Sequence, residues 1–277
     1  MYVALVTQKF QHAPIFTSHN TVCPIIYNGC PMRIDGVLNL NKPDKMTSRQ
    51  AVDRIKHLLN VRKAGHGGTL DPDATGVLPI CLGNGTKLFE PLQLGTKEYE
   101  GTLTLGITTD TLDASGRILS TAEVSEVTLD KIYTVSQQFI GDSEQVVPIF
   151  SAAKRKGKRL YKLARQGIEL EHLPRKKVFI ESLEILSTKI PEVRFRVVCS
   201  KGTYIRTLVS DFGAALACGA HLSQLTRTQS GIFKISDSHS LDSLESNPEL
   251  AHQTVMPIED VLEALHRRFP LQAKSAF

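Results

Sequence analysis

The chain has no apolar run long enough to cross a bilayer as a helix, which argues against an integral helical membrane protein. Its five cysteines, Cys23, Cys30, Cys81, Cys199 and Cys218, form no CxxC pair and no zinc-like spacing. An odd count fits reduced thiols better than a disulfide framework, so a cytoplasmic location is expected. No helix-turn-helix, zinc-finger or basic-zipper pattern is present. The first 31 residues hold one Lys, no Arg and no acid. A secretory signal needs a basic start with a continuous apolar core, and a mitochondrial leader needs arginines, so neither fits. Periodic sequence begins only after Met32, and residues 1–31 are expected to be a disordered extension or a misassigned start.

What is present is an ordinary globular composition. The 277 residues are 41% hydrophobic with a net charge of +5, enough to bury a full core in one large domain or a domain with an appendage. The positive charge is concentrated in Lys154, Arg155, Lys156, Lys158, Arg159, Lys162 and Arg165, with no acid among them. A charge run is usually a solvated helix face. This one is one-signed, has Phe150 and Tyr161 for stacking, and lies near Arg175-Lys176-Lys177, which favours a nucleic-acid phosphate surface. With no duplex-DNA motif beside it, RNA is the better fit, since RNA readers use shape and unstacked bases.

Periodicity supplies the elements. Gly36 to Pro43 reads as a strand running into a turn, and Thr47 or Ser48 caps a helix over Arg49 to Leu59 with Val52, Ile55, Leu58 and Leu59 on one face. Leu78 to Leu82 is a compact buried strand. Tyr99 to Ile107 and Val193 to Cys199 alternate as half-buried strands, and Leu208 to Cys218 is a helix stopped by Gly219. Strands and helices mix without regular alternation, which predicts an α/β (α+β) fold on a mixed, largely antiparallel central sheet flanked by helices.

The densest signal is Gly65-His66-Gly67-Gly68-Thr69-Leu70-Asp71-Pro72-Asp73-Ala74-Thr75-Gly76-Val77-Leu78. Glycines allow a tight turn and close approach to a ligand, while Pro72 biases Asp71 toward an extended conformation. A carboxylate at such a loop tip has four open jobs: nucleophile, general base, metal ligand or plain turn residue. A second constellation is Ser200-Lys201-Gly202-Thr203-Tyr204-Ile205-Arg206. Continued alternation would put Tyr204 and Arg206 on one face, where a guanidinium favours an ionised carboxylate and a ring covers a flat substrate. Tyr99 is a third aromatic candidate, although a lone strand Tyr is more often structural.

These segments resemble the TruB family of pseudouridine synthases. The Asp71 loop resembles the family's catalytic motif and Gly36–Pro43 its N-terminal motif. Thr86-Lys87, Lys97-Glu98-Tyr99, Thr109 to Gly116, Pro148 to Lys154, Gly202 to Arg206 and Gly219 to Leu222 follow in order, so the resemblance spans roughly residues 34–235. It implies isomerisation of a tRNA uridine, conventionally T-loop position 55, to pseudouridine. Asp71 would be the nucleophile, at either the ribose C1′ or the uracil ring, with Arg206 as its partner. Tyr204 would pack in the pocket, Tyr99 would stack on the flipped base, and His66 would fill the space the base vacates. Extrusion is required because the reacting atoms are unreachable inside a stacked loop. Lys42, Lys87, Asp113 and Leu225 match positions that line or support the family pocket. The Lys154–Arg165 segment corresponds to an RNA-gripping insertion, about residues 141–177, that closes over the T-arm.

The resemblance implies no metal or organic cofactor, and a monomer with tRNA as partner is expected. Residues 32–235 would form the catalytic domain. About 50 residues follow Arg227, fewer than an RNA-binding PUA module normally needs, so residues 236–277 are expected to be a reduced or absent PUA domain. The Ala74–Pro79 continuation favours the stand-alone bacterial branch over the guide-directed dyskerin branch. Two other readings are open to test. A metal-dependent hydrolase could use His66, Asp71 and Asp73 but lacks a paired His spacing. An RNA chaperone would need the basic segment but not Asp71, Tyr99 and Arg206 together.

Overall fold

In the computed structural model, the described residues are 34–155, 157–166, 168 and 172–270. Residues 1–31 and Lys156 lie outside the described residues, as do the side chains of Lys154, Arg155 and Arg165. The strands in chain order are β1 (Gly36–Lys42), β2 (Ala64–His66), β3 (Thr75–Leu82), β4 (Lys97–Leu105), β5 (Ile107–Thr109), β6 (Ile118–Thr121) and β7 (Gly141–Val146). There follow β8 (Lys154–Arg155), β9 (Lys158–Arg159), β10 (Arg175–Lys189), β11 (Glu192–Cys199), β12 (Ala220–Ser230), β13 (Phe233–Lys234), β14 (His239–Ser240) and β15 (Val255–Pro257). The helices are α1 (Ser48–Leu58), α2 (Leu129–Gln138), α3 (Leu160–Arg165), α4 (Ile205–Ala215), α5 (Leu241–Ser246), α6 (Pro248–Gln253) and α7 (Ile258–Arg268).

One sheet organises these elements, in the order β14-β1-β3-β12-β4-β11-β10-β7, with β15, β2 and β13 on its margins. Among the described strands, only the β1–β14 and β12–β3 pairings are parallel. The mixed, largely antiparallel sheet expected from the sequence is therefore the fold. β1 is buried on both faces because it is covered on both. Leu38 and Leu40 pack in the main core with Ala51, Val52 and Ile55 of α1, while Val37 joins Val77, Ile258 and Val261 beneath α7. Each fully buried Val, Ile or Leu there contributes roughly 1.5–3 kcal/mol.

The alternating strands and the α1 helix fall where the sequence placed them, to within a few residues. Thr47 is the N-cap of α1. Its hydroxyl accepts from Gln50 N at 3.1 Å, and Thr47 N donates back to the Gln50 side chain at 2.9 Å, which closes a capping box. One expectation is corrected. The alternation of β11 does not continue to Arg206: Gly202, at φ +79°, turns the chain, and α4 begins at Ile205, three residues before the expected start. Tyr204 is thus the N-cap of α4 and Arg206 lies in its first turn. The basic segment has its own local structure. It is a β8–β9 hairpin followed by the short α3.

Candidate active site

Asp71 stands in the connection between β2 and β3, beside a cleft of about 330 Å³. Ser48 of α1 fixes the preceding turn: its hydroxyl donates to Leu70 O at 2.9 Å and accepts from Leu70 N at 2.8 Å. On the other side, Lys42 Nζ at the end of β1 donates to Pro43 O, Met46 O and Pro72 O at 2.7, 2.7 and 3.1 Å. Lys42 therefore supports the loop from behind and is not itself a lining residue. Burial pulls its ammonium down from 10.5 to about 8.

Arg206 reaches the loop from α4. Its Nε lies 2.9 Å from Asp71 Oδ2 and its Nη1 lies 3.6 Å from Asp113 Oδ2. The remaining donors go to Thr111 O and Phe150 O, both at 3.0 Å. One buried guanidinium thus ties together the carboxylate, the Asp113 turn and the root of the basic segment. Asp113 is itself held by the Thr111 and Ser115 hydroxyls, each at 2.6 Å. Burial raises the Asp71 carboxyl above the ordinary 3.8, with Asp113 and Asp73 adding to the rise and Arg206 opposing it. The guanidinium favours the ionised form, as the sequence suggested, but burial outweighs it.

Tyr99, from β4, is buried and lines the cleft with His66, Tyr204 and Leu225. Tyr204 is anchored through its backbone, which donates to Gln145 Oε1 at 2.9 Å and accepts from Gln145 Nε2 at 3.2 Å. Burial and the nearby Arg227 and Arg49 lower the His66 pKa, keeping its ring neutral, and His66 Nδ1 has no hydrogen-bond partner. A neutral ring offers an uncharged aromatic face against which a base can stack. Asp113 and Leu225 also line a second cleft on the far side of Asp71. Lys87 is not brought to either cleft. It lies in the 3-10 turn Gly83–Leu88, where Gly85 and Leu88 face inward and leave Lys87 exposed.

The sequence reading passed over Arg227. This β12 residue is only 2% exposed, yet its Nε donates to Val77 O at 2.8 Å and its Nη2 to Gly68 O at 3.1 Å. It holds both ends of the Asp71 loop to the sheet, and it sits opposite Tyr99 in the β4–β12 register. Nothing in Leu225-Thr226-Arg227-Thr228 as a string distinguishes it from an exposed strand residue.

Around the basic segment, Lys158, Arg159 and Lys162 are exposed and line a shallow concavity with Gly157. Ser151 and Ala152, just before this segment, line the main cleft. Asp73, the third member of the hydrolase reading, is paired instead with Lys45 at 2.7 Å on the surface. Among the described residues no group of three or more His, Cys, Asp or Glu side chains is arranged to hold a metal ion. Cys81, Cys199 and Cys218 are free and buried.

Comparison with known proteins gives the following matches. Residues 56–205 match the family described as TruB family pseudouridylate synthase (N terminal domain), and residues 206–263 match the tRNA pseudouridylate synthase B C-terminal domain. The tRNA pseudouridine synthase B of Francisella philomiragia is 46% identical over 77% of this chain and 71% of its own length. That of Aromatoleum aromaticum is 46% identical over 88% of this chain and 78% of its own. Among solved structures, a chain of a Cbf5-Nop10-Gar1 complex is 33% identical, with a TM-score of 0.65. The match covers 83% of this chain and 62% of that one, so this chain spans about three fifths of that protein. By sequence and fold, this chain belongs to the TruB family of pseudouridylate synthases.

Proposed function

We propose that the chain isomerises a uridine of tRNA to pseudouridine at the T-loop position conventionally numbered 55, with Asp71 as the nucleophile. The observation that carries this reading is the ion pair between Asp71 and Arg206, 2.9 Å apart, at a cleft walled by Tyr99 and Tyr204. The cleft has the size and mixed lining of a single-base site. A uridine flipped out of the loop stacks on Tyr99, and His66 occupies the gap it leaves. Asp71 then attacks, the bond from the ribose to N1 opens, and the ring rejoins through C5. The reaction is an isomerisation, so it needs no oxidant, reductant or second substrate. The T-arm lies along the Lys158, Arg159 and Lys162 surface, whose root at Phe150 is bonded to Arg206.

Mapping pseudouridine in tRNA after incubation with the purified chain tests the reading. Modification at the T-loop uridine is expected, and its loss in Asp71→Asn with tRNA affinity kept within a few fold. Turnover by Asp71→Asn sinks the nucleophile assignment. Binding without any pseudouridine from the unaltered chain favours the RNA chaperone reading.

A further inference from the structure

The cleft holds a buried cation that the proposed chemistry does not yet use. Lys97 begins β4, two residues before Tyr99, and is only 6% exposed. Lys97 is among the residues lining the cleft, and its buried Nζ has no hydrogen-bond partner among the described residues. The charged groups facing it are Arg227 from β12 and Lys201 after β11; the Cys199 thiol of β11 is also close. No carboxylate is among them. An ammonium left unpaired in a protein interior costs stability, so its retention points to a charge or lone pair delivered by a ligand.

Depth indicates which part of an RNA would reach it. Lys201 and Phe89, at the mouth, are exposed, whereas Lys97, Tyr99 and Arg227 are buried. A hydrated phosphate suits the mouth. The edge of a planar ring stacked on Tyr99 suits the floor.

Resting on the pseudouridine synthase reading above, we propose that Lys97 is a further catalytic residue: its ammonium donates to a carbonyl oxygen of the flipped uracil and balances the charge the ring acquires. Attack at C1′ breaks the C1′–N1 bond with its electron pair going to N1, and that charge spreads to O2 and O4. Attack on the ring places charge on a carbonyl oxygen directly. In both routes the C5 proton is later lost and N1 gains one, so the product is an isomer. Lys97 keeps its own proton throughout and acts as a fixed donor where charge develops.

The test compares the unaltered chain with Lys97→Met and Lys97→Arg on tRNA at saturating enzyme in single turnover, alongside tRNA affinity, thermal stability and the pH profile of kcat/KM. Lys97→Met is expected to lose about 100-fold or more in rate, with affinity within a few fold and Tm at or above that of the unaltered chain. Lys97→Arg is expected to recover part of the rate. Burial lowers the Lys97 ammonium from 10.5 to about 8, so the active, charged form is lost as pH rises through about 8. That alkaline limb is expected to vanish in Lys97→Met, whereas a limb due to Lys42 would survive.

Rate within threefold of the unaltered chain, a surviving alkaline limb, or a lowered Tm each overturn the role. So does weakened, less salt-sensitive binding at unchanged single-turnover rate, which would make Lys97 a phosphate contact. An unaltered chain that forms no pseudouridine overturns the functional reading and this inference with it; an active chain indifferent to Lys97→Met overturns the inference alone.

Discussion

At the scale of single residues, two buried lysines show why burial does not predict the effect of a substitution. Lys42 and Lys97 are both lowered to about 8 by desolvation, but Lys42 serves three carbonyls and Lys97 serves none. Lys42→Met strands those acceptors and is expected to cost about 3 kcal/mol or more in chemical denaturation, the opposite sign to Lys97→Met. For both lysines the folded state releases its proton before the unfolded state does. Stability of the unaltered chain should therefore rise between pH about 8 and 10.5, and Lys97→Met should lose part of that slope. Asp71 shifts the other way: its carboxyl is raised above 3.8. If the carboxylate is the nucleophile, kcat/KM falls as pH drops through a limb higher than that of an ordinary aspartate. An acid limb at or below 3.8 would contradict this. Arg206→Lys offers one point charge in place of a fork and cannot reach Asp71, Thr111 O and Phe150 O together. About a 100-fold loss in rate is expected, read against tRNA binding. Asp71 was legible in the sequence because glycines and a proline leave a signature in the string. Arg227 was not, because its value lies in carbonyls brought from residues far away in the chain.

Elements were legible where one rule governed them. Hydrophobic alternation located β4 and β11, and a polar cap ahead of an apolar face at helical spacing located α1. Alternation failed where a turn interrupted it: the backbone at Gly202 leaves the extended region, so extrapolating β11 to Arg206 mistook the first turn of α4 for strand. Lys87, named from the resemblance alone, is exposed in a glycine-rich 3-10 turn outside both clefts, and such a turn has no period that says which side chain faces inward. The seam between β3 and β12 carries the element-scale prediction. Gly76 has φ +98°, and a Cβ there would meet Arg227 N at 2.9 Å and the Arg227 carbonyl closer still. Gly76→Ala therefore combines backbone strain with a clash and is expected to cost about 2–3 kcal/mol, with a loss of activity that native-like folding at low temperature does not restore. Thr47→Ala is the control: it removes the cap of α1 for about 1 kcal/mol and should leave the rate of the folded enzyme nearly unchanged.

For the whole molecule, the fold class could be read from the mixture of strands and helices, but strand order could not, because pairing depends on contacts between distant segments. Charge distribution was visible in the string and leads to a measurement. Binding of tRNA should weaken linearly in log K against log salt, and replacing Lys158, Arg159 and Lys162 by Gln should lower the slope by about one for each phosphate those side chains neutralise. A flat plot would refute the phosphate-surface reading. Rate at saturating RNA should change much less than affinity, since these side chains are exposed and outside the main cleft.

The bond from Arg227 to Gly68 spans 159 residues of sequence. During synthesis the Asp71 loop emerges long before the arginines that arm and brace it, and the parallel partner of β3 is among the later strands to arrive. A nascent chain thus carries Asp71 without Arg206 or Arg227 until most of its length has left the ribosome. Since folding pays for distant contacts before it is rewarded by them, the cleft forms late, and a growing chain surrounded by tRNA has no competent site with which to act on it.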